Sequence, residues 1–115
     1  MRVLILAKED HQVRAATPPT PEEMAEFQKF NEDLVKAGVV VGDGRLYPSA
    51  QGKRLRFDGK KRSVIDGPFA ETKELVAGYW LWQVRSIDEA IEWLKRAPFD
   101  AGTYEIRQIF DTEGM

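Results

Sequence analysis

The sequence contains no cysteine and a single histidine, His11. The absence of cysteine excludes disulfides, thiolate metal sites and a cysteine nucleophile. One histidine among scattered carboxylates does not make a zinc site, which normally uses at least three protein ligands. We therefore expect no metal and no other cofactor. His11 lies in a charged segment, which favours a solvated side chain over a general base.

Long apolar runs and an excess of basic residues are missing as well. No stretch approaches the roughly 20 apolar residues of a membrane helix, and the apolar run before Lys8 is shorter than a signal-peptide core. The 17 Lys and Arg residues and 19 Asp and Glu residues give a net charge of -2, without the clustered basic excess typical of nucleic-acid binding. These features predict a soluble, cytoplasmic protein that interacts with neither membranes nor nucleic acids.

Two segments carry the signals of α-helices within a chain of 115 residues, the length of one ordinary domain. A capping box begins at Thr20, with Pro21 at the first helical position, and predicts a helix over residues 21–37. A second capping box begins at Ser86, and Pro98 marks the end of that helix. We expect a single domain over residues 1–115.

Six apolar segments predict β-strands, two of them flanking the turn sequence Asp58-Gly59 as a hairpin. The strands are predicted at residues 2–7, from residue 39 onward, and at 53–57, 62–65, 75–85 and 103–110. The element order is strand, helix, strand, hairpin, strand, helix, strand. This order predicts an α+β, ferredoxin-like βαββαβ fold with an inserted β-hairpin. In that fold the strands at 2–7 and 75–85 occupy the middle of the sheet. The last strand alternates partly between charged and apolar residues, which predicts an edge strand.

The long strand at 75–85 is apolar on both faces. Trp80 and Trp82 alternate with Tyr79 and Leu81, whereas a strand with one wet face should alternate apolar with polar residues. Two helices cover only one face of such a sheet, so we expect Trp and Tyr side chains to be uncovered on the other. An apolar patch of this size indicates a partner surface, and we predict a homodimer formed through the sheet face.

The stretch VIDGPFAETKELVAGYW, residues 64–80, resembles the signature of the YciI-like (YCII-related) family, in the branch named for its DGPF motif. The likeness extends over nearly the whole chain, through the segments KFNEDLVKAGVV, RLYPSAQGKRLRF, SIDEAIEWLKRAPF and YEIRQIF. The resemblance implies a ferredoxin-like subunit that pairs into a dimeric α/β barrel. It also implies a regulatory or ancillary role with a functional link to a sigma factor. The helix at 21–37 has no histidine, so the His–Asp pair proposed as catalytic in YciI proteins has no counterpart here.

Asp66 and Glu71 form the best candidate for a catalytic carboxylate pair. Two acids beside an apolar strand can hold different pKa values and perform acid–base chemistry. Ligand-binding roles are predicted for Ser49, Arg54, Lys73, Tyr79 and Trp82. Each has a structural alternative, which is turn bonding for Ser49, a solvated position in the hairpin for Arg54, charge pairing for Lys73 and packing for the aromatic residues. Asp66-Gly67-Pro68 likewise has the residues of a turn, and a structural role alone would account for them.

Two functions follow from these residues. The first is a dimeric module that binds a small ligand or has a regulatory or ancillary role, with the loop at 8–20 as a candidate lid or pocket wall. The alternative is a small cofactor-independent enzyme of the isomerase, lyase or hydrolase type that uses Asp66 or Glu71 as acid or base. The scarcity of histidine, cysteine and metal-ligand clusters favours the first function.

Overall fold

The computed structural model describes residues 1–8, 20–68, 75–99 and 101–110. Its helices and strands are β1 (Arg2–Lys8), α1 (Pro21–Lys36), β2 (Val40–Arg45), β3 (Lys53–Asp58), β4 (Lys61–Asp66), β5 (Val76–Gln83), α2 (Ile87–Lys95) and β6 (Tyr104–Gln108). A short 3₁₀ turn, Ser49–Gln51, lies between β2 and β3. The fold is α+β, as predicted.

Four strands form one sheet in the order β2-β5-β1-β6, and every neighbouring pair is antiparallel. The long strand and the first strand occupy the centre, and β6 lies at an edge, as predicted. This arrangement is consistent with a ferredoxin-like fold. The register between β2 and β5 shifts between Val40 and Gly42, which is the irregularity that glycine indicates in a strand. Strands β3 and β4 form a separate two-stranded sheet, called the arm below (residues 53–66).

The predicted capping residues begin both helices. The Thr20 hydroxyl accepts a hydrogen bond from the Glu23 N–H at 3.1 Å, and the Ser86 hydroxyl accepts one from the Glu89 N–H at 3.1 Å. These bonds satisfy N–H groups that have no partner within the helix. Gly38, just after α1, has a φ of 71°, a left-handed conformation that glycine adopts without strain.

The core lies between the helices and one face of the sheet. It contains Trp82 and Ile5, both fully buried, together with Leu34 of α1 and Ala90 of α2. Trp80 is 8% exposed in the same cluster. The expectation that tryptophan is uncovered was therefore wrong, because both tryptophans of β5 point toward the helices. The alternating pattern defines two faces but does not say which one the helices cover.

The sheet face without helices carries smaller apolar side chains and one tyrosine at its centre, with Glu105 and Arg107 on the edge strand β6. Leu4 and Leu6 of β1 are register partners of Leu81 and Tyr79, so all four share this open face. Tyr79 is 39% exposed, and the three leucines are half-buried. None of the helices in the described part of the chain combines the length and apolar character that a membrane-spanning segment requires.

Candidate functional site

A cleft of about 570 Å³ lies at one end of the four-stranded sheet, between the sheet and α1. The strands reach this end at Ala7 of β1, Arg45 of β2, Gly78 of β5 and Tyr104 of β6, all of which line the cleft. The cleft exists because the sheet carries small residues here. Gly78 has no side chain and Ala7 only a methyl group, so neither fills the space beneath the helix.

Aromatic rings form the wall of the cleft. The Trp80 ring lies 6.1 Å from that of Phe27, with an interplanar angle of 22°, and 6.2 Å from that of Phe99. Phe99 in turn stacks on Tyr104, with ring centroids 4.7 Å apart. Tyrosine with its ordinary pKa of 10.0 is protonated at neutral pH, and burial raises the pKa of Tyr104 further. These rings therefore offer flat apolar surfaces and the neutral hydroxyl of Tyr104.

Two glycines allow close approach at the edge of the cleft. A Cβ atom built on Gly44 would lie 2.7 Å from Cε1 of Tyr79, so the absent side chain leaves room for the tyrosine ring. A Cβ atom on Gly78 would lie 3.0 Å from the carbonyl oxygen of Gly44, tighter than most real contacts. Glycine inside a strand typically marks such an approach.

Asp43 and Arg45 place charge at the cleft and have no partner among the described residues. They are the register partners of Trp80 and Gly78, which puts them on the face that α1 covers in part. Both line the cleft together with Asn31 of α1. Considering the described residues only, none of these three side chains has a hydrogen bond or an ion pair. They are available to bind a ligand.

Lys8 also lines the cleft, but its charge is compensated. Its Nζ lies 3.0 Å from Oε1 of Glu105, and Nε of Arg107 donates to Oε2 of the same carboxylate at 2.6 Å. The hydrogen bonds from Lys8 and Arg107 lower the pKa of Glu105 below its ordinary value. This cluster joins β1 to β6 and leaves Arg45 as the guanidinium at the cleft without a counter-charge among the described residues.

Asp66 and Gly67 lie at the base of the arm, where they make structural contacts. Nζ of Lys53 is 2.6 Å from Oδ1 of Asp66, and the two side chains are 63% and 74% exposed. The Gly67 N–H donates to the carbonyl oxygen of Gly52 at 3.0 Å. A Cβ atom on Gly67 would lie only 1.7 Å from the carbonyl oxygen of Ser49, so this position accommodates glycine alone without rearrangement. These contacts close the two ends of the arm.

The predicted site residues do not come together in one place. Tyr79 lines the cleft, whereas Asp66, Ser49 and Arg54 belong to the arm and its base. Trp82 is fully buried in the core, and its Nε1 has no hydrogen-bond partner among the residues described. The predictions on Glu71, Lys73 and His11, and on most of the loop at 8–20, lie outside the described residues.

Sequence reasoning missed the polar residues of the cleft. Asp43 and Arg45 follow Val41 in a short strand, where alternating charges usually indicate a solvated edge. Gly44 and Gly78 were the signal that could have indicated a site beside Asp43 and Arg45, since glycine in a strand can mark a position where a ligand approaches. Recognising it requires knowing that β2 pairs with β5, a pairing of residues more than 30 positions apart.

Comparison with known proteins places this architecture in a family. The model of the YCII-related domain matches residues 1–113. An uncharacterised protein of Rhizobium meliloti (strain 1021) is 32% identical over 114 residues, which cover 95% of this chain and 92% of the relative. Both matches span the sheet, the helices and the arm. The chain belongs to the YCII-related family.

Proposed function

We propose that the protein is a dimeric module that binds a small planar organic anion in the cleft at the end of the sheet. The observation that carries this proposal is the cleft itself, with aromatic walls and unpartnered polar groups. Its volume of about 570 Å³ lies within the roughly 300–1,000 Å³ usual for small-molecule sites. Such sites are mostly apolar, with a few polar groups that orient the ligand.

The cleft residues suggest how the ligand is held. Its ring packs against Trp80 and Phe99, and its anionic group pairs with the guanidinium of Arg45, which suits a carboxylate or phosphate in bidentate geometry. Asp43 lies two residues earlier on the same strand face, about 7 Å away. Its carboxylate accepts a hydrogen bond from a donor group and disfavours a second anionic group. The preferred ligand therefore carries one negative charge beside a ring.

A homodimer is the second part of the proposal. The open sheet face presents Leu4, Leu6, Leu81 and Tyr79, an apolar centre that a second sheet can cover, beside the paired charges of Glu105 and Arg107 on β6. The family resemblance implies the same pairing, as a dimeric α/β barrel. A regulatory or ancillary role and a link to a sigma factor follow from that resemblance alone, and ligand binding does not require them.

The enzymatic alternative has less support from the described residues. The carboxylate of Asp66 is bound by Lys53, is largely exposed and does not line the cleft. A catalytic acid or base is usually held in a pocket, within reach of the reacting group. The contacts of Asp66 instead match a role in closing the arm.

Native mass spectrometry of gently purified protein tests the ligand-binding proposal. We expect a dimer carrying a reproducible small-molecule mass on each chain. Arg45→Gln should reduce the bound fraction about tenfold, because it removes one charge-assisted contact. Arg56→Gln, a matched change of an exposed arginine on the arm, should leave the bound fraction unchanged.

Two outcomes would contradict the proposal. One is an adduct that survives Arg45→Gln at the wild-type fraction. The other is protein that carries no adduct and shows no change in tryptophan fluorescence with millimolar benzoate or phenyl phosphate, which present a ring and an anionic group.

A further inference from the structure

The arm carries an apolar face that the rest of the protomer does not cover. Leu55 is the register partner of Val64, and Phe57 is the partner of Arg62, so these side chains share one face. Leu55, Phe57 and Val64 are 57%, 66% and 62% exposed. A two-stranded hairpin by itself is only marginally stable in water, so this face is stabilised if another surface covers it.

Side-chain contacts are present at both ends of this apolar face. The Arg62 guanidinium lies 4.5 Å from the centroid of the Phe57 ring and donates to the carbonyl oxygen of Gly59 at 2.7 Å. At the other end, Lys53 pairs with Asp66 on the same face. Residues held in place before binding lose little entropy when they bind, which favours an interface.

The N-terminal half of α1 is a second uncovered surface, with the opposite charge. Met24 and Phe27 are 54% and 37% exposed on it, although both belong to the apolar stripe of the helix. The helix has five carboxylates and two lysines, for a net charge of -3. The arm has six Lys and Arg residues and two aspartates, for a net charge of +4. Two arms therefore repel each other, whereas an arm and an α1 helix attract.

The open sheet face covers a limited area. Four strands about 4.8 Å apart and roughly 20 Å long span about 400 Å² in flat projection. A standard interface buries about 800 Å² of accessible surface on each partner, which is a larger measure than the projection of the same patch. The radius of gyration of 16.6 Å exceeds the roughly 13 Å of a compact domain of this length, which is consistent with a protomer that extends toward a partner. An additional contact region brings the buried area closer to the standard value.

We propose that the arm of one copy docks on α1 of a second copy, with Leu55, Phe57 and Val64 covering Met24 and Phe27. Two-fold symmetry forms this contact twice in each dimer. The inference rests on the proposed dimer and adds a specific contact to it. Because Phe27 also lines the cleft, the docked arm borders the ligand site.

Sedimentation equilibrium of arm variants tests the contact. Leu55→Ser combined with Phe57→Ser should raise the dimer dissociation constant about tenfold or more, since central apolar anchors dominate interface energies. Ile65→Ser is the matched control, because Ile65 is also exposed but pairs with Arg54 on the opposite face of the arm. It should change the constant less than about twofold. Equal dissociation constants for the arm variant and wild type would overturn the proposal.

The absence of cysteine allows the docking partner to be identified by cross-linking. Met24→Cys protein and Phe57→Cys protein are mixed, treated with a short bifunctional maleimide and weighed by mass spectrometry. The mixed cross-linked dimer should exceed that formed between Met24→Cys and Ile65→Cys protein. Equal yields in the two mixtures would overturn the assignment of the arm to α1.

A substitution on the open sheet face distinguishes the arm contact from dimer formation itself. Leu6→Lys should also weaken the dimer if the sheet faces meet. If Leu6→Lys dissociates the dimer and the arm variant does not, the arm contact is wrong and the dimer stands. If wild-type protein is monomeric, both the proposed dimer and the proposed arm contact are wrong. A small-molecule adduct on that monomer would still support the proposal that the cleft binds a ligand.

Discussion

At the scale of single residues, the backbone of Gly67 lies against the carbonyl oxygen of Ser49 and leaves no room for a side chain. This contact explains why a glycine follows Asp66 without any reference to catalysis. The Lys53–Asp66 ion pair beside it links residues 13 positions apart. The sequence suggested a turn at Asp66-Gly67-Pro68, and the chain bends at Gly67, while residues 69–74 lie outside those described. It did not reveal what packs against the turn, because that requires the pairing of β3 with β4.

Replacing Gly67 with alanine tests the structural role. The added Cβ would lie 1.7 Å from a backbone oxygen, so the base of the arm must rearrange. We expect a loss of about 1–3 kcal/mol in the free energy of unfolding, measured by urea denaturation. Gly42→Ala is the control, because nothing lies within 4 Å of a Cβ atom built there.

A Gly67→Ala protein as stable as the Gly42→Ala protein would show that the Ser49 turn does not constrain this position.

The helix-capping residues, by contrast, could be identified without knowing which strands pair. Thr20 and Ser86 act on residues three positions away, so local sequence alone was sufficient to find them.

At the scale of secondary-structure elements, one carboxylate fastens the edge strand β6 to β1. Glu105 accepts hydrogen bonds from Arg107 of its own strand and forms an ion pair with Lys8 of β1. Alternation of charged and apolar residues had identified β6 as an edge strand. The partner of Glu105 could not be predicted from the sequence. Lys8 lies almost 100 residues earlier and is close to Glu105 only because β1 and β6 are neighbours in the sheet.

The pH dependence of stability should report this cluster. The pKa of Glu105 is lowered from its ordinary value of 4.5 by hydrogen bonds from Lys8 and Arg107. A carboxylate with a depressed pKa in the folded state contributes stability above the unfolded pKa, and that stability disappears as the pH falls through the folded pKa. Below about pH 4.5 the free energy of unfolding should therefore decrease less steeply in Glu105→Gln than in wild type.

Urea denaturation between pH 7 and pH 2.5 gives this comparison directly. Glu22→Gln, at the exposed start of α1 and without a hydrogen bond or ion pair to another described residue, is the control. Wild-type, Glu105→Gln and Glu22→Gln curves with the same slope would contradict the role of the cluster.

At the scale of the whole molecule, periodicity and element order predicted the α+β class and the central strands, yet left the two faces of the sheet undecided. Trp80 and Trp82 alternate with Tyr79 and Leu81 in a pattern that either face could present to the helices. The two faces differ in side-chain volume. The indole rings of Trp80 and Trp82 fill the space under α1 and α2, whereas the leucines lie on the open face. The cleft could not be predicted, because its residues come from five separated segments.

One comparison tests both the proposed ligand binding in the cleft and the proposed structural role of Asp66. The molecule recovered from the native dimer is titrated by calorimetry into Asp66→Asn and Arg45→Gln protein, with matching melting temperatures confirming that both variants fold. We predict wild-type affinity for Asp66→Asn and a loss of about tenfold for Arg45→Gln. Loss of binding in Asp66→Asn with wild-type affinity in Arg45→Gln would contradict the account and move the site to the arm.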